Sequence, residues 1–251
     1  MSTNSDAQAG INEETRKSPS AENALLPIFR LPPEILAAIF VHCAHFHHKS
    51  LSIRTRRPGW VKVSYVCHHW REVALGCPTL WSYHFVVSSR WTEELLARSM
   101  EAPLKIRFVH IDCESDSTWW LDPVKKLMDH AEHIQECILC ILSWCIKDLF
   151  SQLSSCRAPC LRTLEISVID HYRSDLPVPS VPFDGDTPTL RTLVFSNCPV
   201  PWHSFKRNSL TTLLLRHDFI TSEQKLGEFL ALLSCMQELA QLCLSHFLSG
   251  S

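Results

Sequence analysis

Apolar and polar positions divide this chain into three regimes. Met1 to Asn23 is rich in Ser, Asn, Glu, Ala and Gln, with Ile11 as its short apolar contribution. That is too little apolar surface to offset the entropy of ordering, so residues 1–24 are expected to form a disordered leader. From Leu31 the apolar density rises. Leu31-Pro32-Pro33-Glu34 reads as a helix start, because the prolines leave no N–H unbonded and Glu34 places negative charge where the helix dipole favours it. In the helix that follows, Ile35, Ile39 and His42 share one side and Leu36, Phe40 and Cys43 another, while Ala37, Ala38 and Val41 close most of the circumference. A helix apolar on nearly every side is expected to be buried on nearly every side. Trp60 to Ala74 predicts a second, amphipathic helix through Val63, Val66, Cys67, Trp70, Val73 and Ala74. Gly76 stands where a helix end favours a residue without a Cβ, and Cys77-Pro78 blocks continuation. Leu80 and Trp81 add two more large apolar groups. About fifty residues cannot enclose this much apolar surface alone, so the rest of the chain or a second protein must cover it.

After Trp81 the period changes. Tyr83, Phe85 and Val87 alternate as in a strand, residues 90–100 have helical character, and Leu104, Ile106 and Phe108 mark one side of another strand. Strand, helix, strand implies parallel strands joined by helices. A template then recurs: Ile134-x-x-Cys137-x-Leu139, Leu161-x-x-Leu164-x-Ile166, Leu190-x-x-Leu193-x-Phe195, Leu210-x-x-Leu213-x-Leu215 and Leu239-x-x-Leu242-x-Leu244. Its first positions lie 27, 29, 20 and 29 residues apart (161−134, 190−161, 210−190, 239−210). This period is the signature of a leucine-rich-repeat solenoid, in which strands bury alternate residues against their neighbours and helices cover the convex side. The third unit alone places a suitable residue, Cys198, at the position such repeats give to Asn or Cys, so an irregular curvature is expected. The stretch from Asp170 to Pro188, with Pro177, Pro179 and Pro182, reads as a long surface loop and a candidate contact. The final unit runs into Phe247 and Leu248 without a polar cap, so either the protein continues or its last strand is partly exposed.

Composition narrows the function classes. Hydrophobic residues make up 45% and charged residues 20%, which fits a globular protein with a sizeable core, and a net charge of −2 gives no reason to expect nucleic acid or an acidic membrane as partner. There is no membrane-spanning apolar run and no signal peptide, so an intracellular location, cytoplasmic and/or nuclear, is expected. The 12 cysteines lie mostly inside apolar runs and read as reduced, buried thiols. Cys137-x-x-Cys140 lacks a second pair and a knuckle turn, and His42, His45, His47 and His48 read as a histidine-rich helix end, so no metal site is expected from either. Arg54, Arg56 and Arg57 read as a short solvated basic loop. With 6 glycines and neither a phosphate-cradling pattern nor a G-x-S-x-G elbow, there is no sequence support for an enzyme or a cofactor.

Leu31-Pro32-Pro33-Glu34-Ile35-Leu36 with Ile39-Phe40, then Val66-Cys67-x-x-Trp70-Arg71, then Pro78-x-Leu80-Trp81, resembles the F-box, and most closely the F-box-like proteins of mushroom-forming fungi. The segment from His45 to Gly59 is longer and more basic than the family's usual connection. The fold class that follows is α/β: a small helical F-box module over 25–82, then an irregular leucine-rich-repeat-like solenoid of parallel strands and helices over 83–251. The resemblance implies a substrate receptor of a cullin-based ubiquitin ligase. The F-box would dock a Skp-type adaptor, and through it a cullin, while the repeats hold a protein target. Leu31, Pro32, Ile35, Leu36, Ile39, Phe40, Val66, Cys67, Trp70 and Trp81 are the residues expected to serve adaptor contact. The alternative is a non-catalytic interaction scaffold with no ubiquitin role.

Overall fold

The computed structural model describes residues 27–50, 59–110, 118–170, 181–198, 200, 209–216 and 223–245. The expected leader, the basic stretch at 54–57, Pro177 and Pro179, and Phe247 and Leu248 lie outside the described residues. Seven helices are described: α1 (Pro33–Ser50), α2 (His68–Leu75), α3 (Pro78–Trp81), α4 (Ser89–Ser99), α5 (Leu121–Met128), α6 (Ile146–Leu153) and α7 (Glu223–Cys235). The strands are β1 (Tyr83–Phe85), β2 (Leu104–Val109), β3 (Ile134–Ile141), β4 (Thr163–Val168), β5 (Thr192–Ser196), β6 (Thr212–Arg216) and β7 (Gln241–Ser245). They form one sheet in chain order, every neighbouring pair parallel.

The recurring template of the sequence becomes the register of this sheet. Cys137, Leu164, Leu193, Leu213 and Leu242 pair rung to rung, and so do Leu139, Ile166, Phe195, Leu215 and Leu244. Ile106 and Phe108 extend both rows onto β2. These residues, buried from β2 to β6, face α5, α6 and α7, whose Val124, Leu127, Leu149, Phe150, Leu153, Phe229 and Leu232 complete the core. On β7 the same positions hold Leu242 and Leu244, both exposed, as expected for a strand with a neighbour on one side only.

Several local expectations need correction. Trp60 to Ala74 is not one helix. A 3-10 turn, Gly59–Tyr65, is followed by a break, and α2 begins after Cys67, whose Sγ accepts from Trp70 N at 3.4 Å as an N-cap. β-branched Val61, Val63 and Val66 weaken helix propensity through the break, and the cap supplies a fresh start. Gly76 takes φ −79°, which needs no glycine. On β1 all three residues are buried, so Tyr83 and Phe85 do not alternate with an exposed neighbour: His84 is buried on the helix side. The stretch from Asp170 to Pro188 is not purely a surface loop. Its Pro182–Gly185 turn buries Pro182 and Phe183, with Phe183 held at φ 56°. Cys198 sits fully buried with its Sγ on the Ile166 carbonyl at 3.8 Å, and Asn197 Nδ2 donates to the Val168 carbonyl at 2.9 Å. The Asn197 side chain thus takes up the Val168 carbonyl at the end of β4.

Not all the cysteines are buried. Cys137, Cys140, Cys145 and Cys198 are, whereas Cys43, Cys160 and Cys235 are exposed. Cys137 and Cys140 are three apart on β3 and so point to opposite faces, Cys137 in register with core-facing Leu164 and Cys140 with Ser167, which rules them out as joint ligands of one metal. Burial pushes the Cys145 thiol up to about 12 and that of Cys137 well above its ordinary range, so both stay protonated and unreactive.

The helical module is joined to the sheet by the end of α1, which lies on the sheet face opposite α5–α7. The expected long connection from His45 is helical as far as Ser50. His45 Nδ1 lies 3.4 Å from Tyr83 Oη, His47 Nε2 accepts from Gly59 N at 3.1 Å, and buried His48 places Nδ1 3.5 Å from Glu136. Arg107 Nη1 donates to the His48 carbonyl at 2.8 Å. His45 and His48, three residues apart, share the face that meets Tyr83, and His47 and His48 both stand edge-on to Phe85. They act as ties, with exposed His42 apart from them.

Burial, with Arg107, Lys105 and His45 nearby, lowers the His48 pKa to about 3 despite a hydrogen bond to the Lys105 backbone, and burial beside His130 lowers that of His84 to about 3. Both rings are therefore neutral when folded but ordinary bases when unfolded. Their contribution to stability is complete above pH 6.5 and is lost as pH falls from there towards 3, at about 1.4 kcal/mol per pH unit for each histidine. Urea unfolding at pH 7 and pH 5 is expected to show a drop of about 3–4 kcal/mol, and replacing His84 with leucine should flatten the dependence. Equal stability at the two pH values would contradict the neutral-histidine assignment.

Candidate functional site

α1 carries two stripes with different fates. Leu36, Phe40, Ala44 and His48 recur every four residues, and all are buried. Ile35 (49% exposed), Ile39 (39%), Cys43 and Phe46 (67%) form the second stripe, which stays open. The helix expected to be covered on nearly every side is thus covered along one. The inward stripe runs through Ala44 and not Cys43, because a four-residue step tracks the helix face more closely than a three-residue step at this point.

The inward stripe meets the rest of the module in one aromatic core. Phe40 packs on Trp70 with ring centroids 5.0 Å apart, and Trp70 also meets Phe29 at 6.2 Å. Trp81 is buried. Its Nε1 donates to the Ala74 carbonyl at 2.6 Å, Trp60 stands edge-on at 5.4 Å, and the Arg98 guanidinium lies 4.3 Å over its ring. This bond ties α2 to α3 and the cation ties α3 to α4. Leu80, Tyr83, Phe85 and Leu95 close the same cluster.

Of the residues named from sequence, the geometry brings Pro32, Ile35 and Ile39 to the exposed side of α1, and Val66 (50% exposed) to the break before α2. Leu31, Cys67 and Trp70 are half-buried. Leu36, Phe40 and Trp81 are inside, where they position the others. Phe46 and Tyr65, both largely exposed, were missed. Phe46 sits seven residues beyond Ile39, a heptad step that the periodicity contained but that was hidden by the histidines around it. Between α1, α2 and α3 lies an open groove of about 530 Å³, floored by Ala37 and Val73 and rimmed by Glu34 and Glu72. Among the described residues no group of three or more His, Cys, Asp or Glu is placed to hold a metal ion, and no helix is long and apolar enough to cross a membrane.

A short, mixed helical core thus lies beneath an apolar helix stripe that stays open. Residues 28–92 match the F-box-like domain family. No curated protein and no solved structure matched the chain. F-box domains bind Skp-type adaptors in SCF-type ubiquitin ligases, which connects this domain to substrate recognition in such complexes. The F-box-like match runs ten residues beyond the boundary drawn at 82 (92−82). Packing explains the difference, since β1 and α4 contribute Tyr83, Phe85 and Leu95 to the core of the F-box-like domain.

Proposed function

We propose that this chain is the substrate-receptor subunit of a cullin-based ubiquitin ligase, docking a Skp-type adaptor through the F-box-like domain and holding a protein target on the seven-stranded sheet. The observation that carries this reading is the exposed stripe Ile35, Ile39 and Phe46, with Pro32 and Val66 beside it, lying within the residues that match the F-box-like family. An apolar stripe on a helix is the standard way to seat one protein on another, and its energy concentrates in a few large side chains. Leu36, Phe40, Trp70 and Trp81 hold the stripe in place from beneath. The sheet is a degenerate leucine-rich-repeat array in this reading, supported by its strand order and by the five in-register units. The chain performs no covalent chemistry and needs no cofactor. It raises the effective concentration of a target lysine near the transferring enzyme, which the adaptor and cullin position. The test is size-exclusion chromatography of the full chain with a purified Skp-type adaptor at micromolar concentration. A one-to-one complex is expected, and separate elution of two folded proteins would overturn the reading in favour of a scaffold without a ubiquitin role.

A further inference from the structure

On the sheet face opposite α5–α7, the register aligns Arg107 on β2, Ile138 on β3, Glu165 on β4, Val194 on β5 and Leu214 on β6 in one row. Strands lie about 4.8 Å apart, so the Glu165 and Arg107 backbones are about 10 Å apart, and no ion pair joins their side chains. The charges nearer the F-box-like domain are engaged: Lys105 Nζ donates to Tyr83 Oη at 3.0 Å, Arg107 holds the His48 carbonyl, and Glu136 faces His48. Glu165 differs from all of these. It is half-buried between Ile138 and Val194, both buried, and has no hydrogen-bond or ion-pair partner among the described residues. Burial raises its pKa, and the distant Arg107 and Arg216 offset this only in part. A carboxylate held partly out of water without a donor is destabilised until a cation reaches it.

Arg216 is exposed on β6, in register with Ser196 and through it with Ser167, two residues beyond Glu165. It therefore lies two strands across and one row along, about 12 Å from Glu165, a span of three or four extended residues. Val194 and Leu214 fill the interval.

We propose that the face between β3 and β6 binds an extended peptide of the target protein, seating a lysine or arginine on Glu165, an apolar side chain over Leu214 beside buried Val194, and a carboxylate on Arg216. This rests on the substrate-receptor reading and supplies the chemistry of its target. Charge-assisted bonds at the two ends fix the register, and the apolar contact between them excludes water.

The probe is an array of nine-residue peptides carrying Lys, Arg, Ala or Glu at the anchor, Leu, Ala or Ser in the middle, and Glu, Ala or Lys three or four residues from the anchor, in both directions. Binding of full-length protein is read by fluorescence polarisation, with adaptor capture measured on the same samples. Lys and Arg anchors with a Leu centre and a Glu end are expected to bind best. Glu165→Gln should weaken them by at least about tenfold, and Glu165→Lys should shift the preference to Glu anchors. Absence of binding by every peptide, indifference to anchor charge, or a preference unmoved by Glu165→Lys would overturn the inference. Loss of adaptor capture with the peptide preference intact would instead remove the ligase reading and leave the peptide site standing.

Discussion

Replacing Ile35 and Ile39 together by aspartate is expected to abolish adaptor capture while leaving the fold intact. Both side chains stand outside the buried cluster, 49% and 39% exposed on α1, so the change removes little core contact, and circular dichroism and the urea midpoint should stay close to wild type. At the interface each loses a buried apolar contact and brings in a charge that would have to be desolvated. A loss of about 2 kcal/mol per site corresponds to about a thousandfold for the pair. Phe46→Ala should add a smaller loss, because it extends the same stripe. The measurement is a binding titration of each variant against a Skp-type adaptor. If the double aspartate variant bound like wild type, the contact would lie elsewhere on the F-box-like domain, and the groove between Glu34 and Glu72 would be the next surface to mutate.

Trp81→Ala should do the reverse, destabilising the domain first and weakening capture only as a consequence. Removing a buried indole costs about 3–5 kcal/mol, and the Ala74 carbonyl loses its donor as well. Against a total stability of about 5–15 kcal/mol, that is enough to unfold a large share of the domain near physiological temperature. Trp81→Phe separates the two effects: it keeps most of the packing against Trp60 and Arg98 and loses the hydrogen bond, at about 1–3 kcal/mol. Urea titration followed by tryptophan fluorescence reads both variants. A stable Trp81→Ala protein that had lost adaptor binding would show that Trp81 reaches the adaptor directly.

Sequence made the architecture legible where the pattern repeats. The template through Leu164, Leu193 and Leu213 recurs because each strand needs the same two residues facing the helices, so spacing alone placed the rungs. It also marked α1, since Pro33 and Glu34 supply a helix start that depends on local chemistry. What could not be read was which side of α1 faces outward. Ile35 and Leu36 are equally apolar, and only the positions of Trp70, Trp81 and Tyr83 decide which of them is covered. The break before α2 was likewise hidden, because a thiol cap on Trp70 N leaves no mark in hydrophobic periodicity. Glu165 carries no mark in the sequence pattern, since its half-burial comes from Ile138 and Val194 on strands 27 to 29 residues away in the chain (165−138, 194−165). Phe183 was obscured by the prolines around it, which read as loop although the ring fills the core beside α6.

The unbroken course of α1 from Pro33 to Ser50 has a geometric consequence. The outward stripe near its start and the His48 tie near its end belong to one rigid rod, so the bearing between a protein docked on the stripe and the sheet would be set by counting residues. At about 100° and 1.5 Å per residue, one residue inserted between Phe46 and His48 would swing the sheet by more than a quarter turn about the helix axis. Seven would nearly restore the bearing but push the sheet about 10 Å further out. If the chain is the substrate receptor proposed above, the length of this helix acts as both compass and ruler, fixing the direction and distance at which a target on the sheet would be presented.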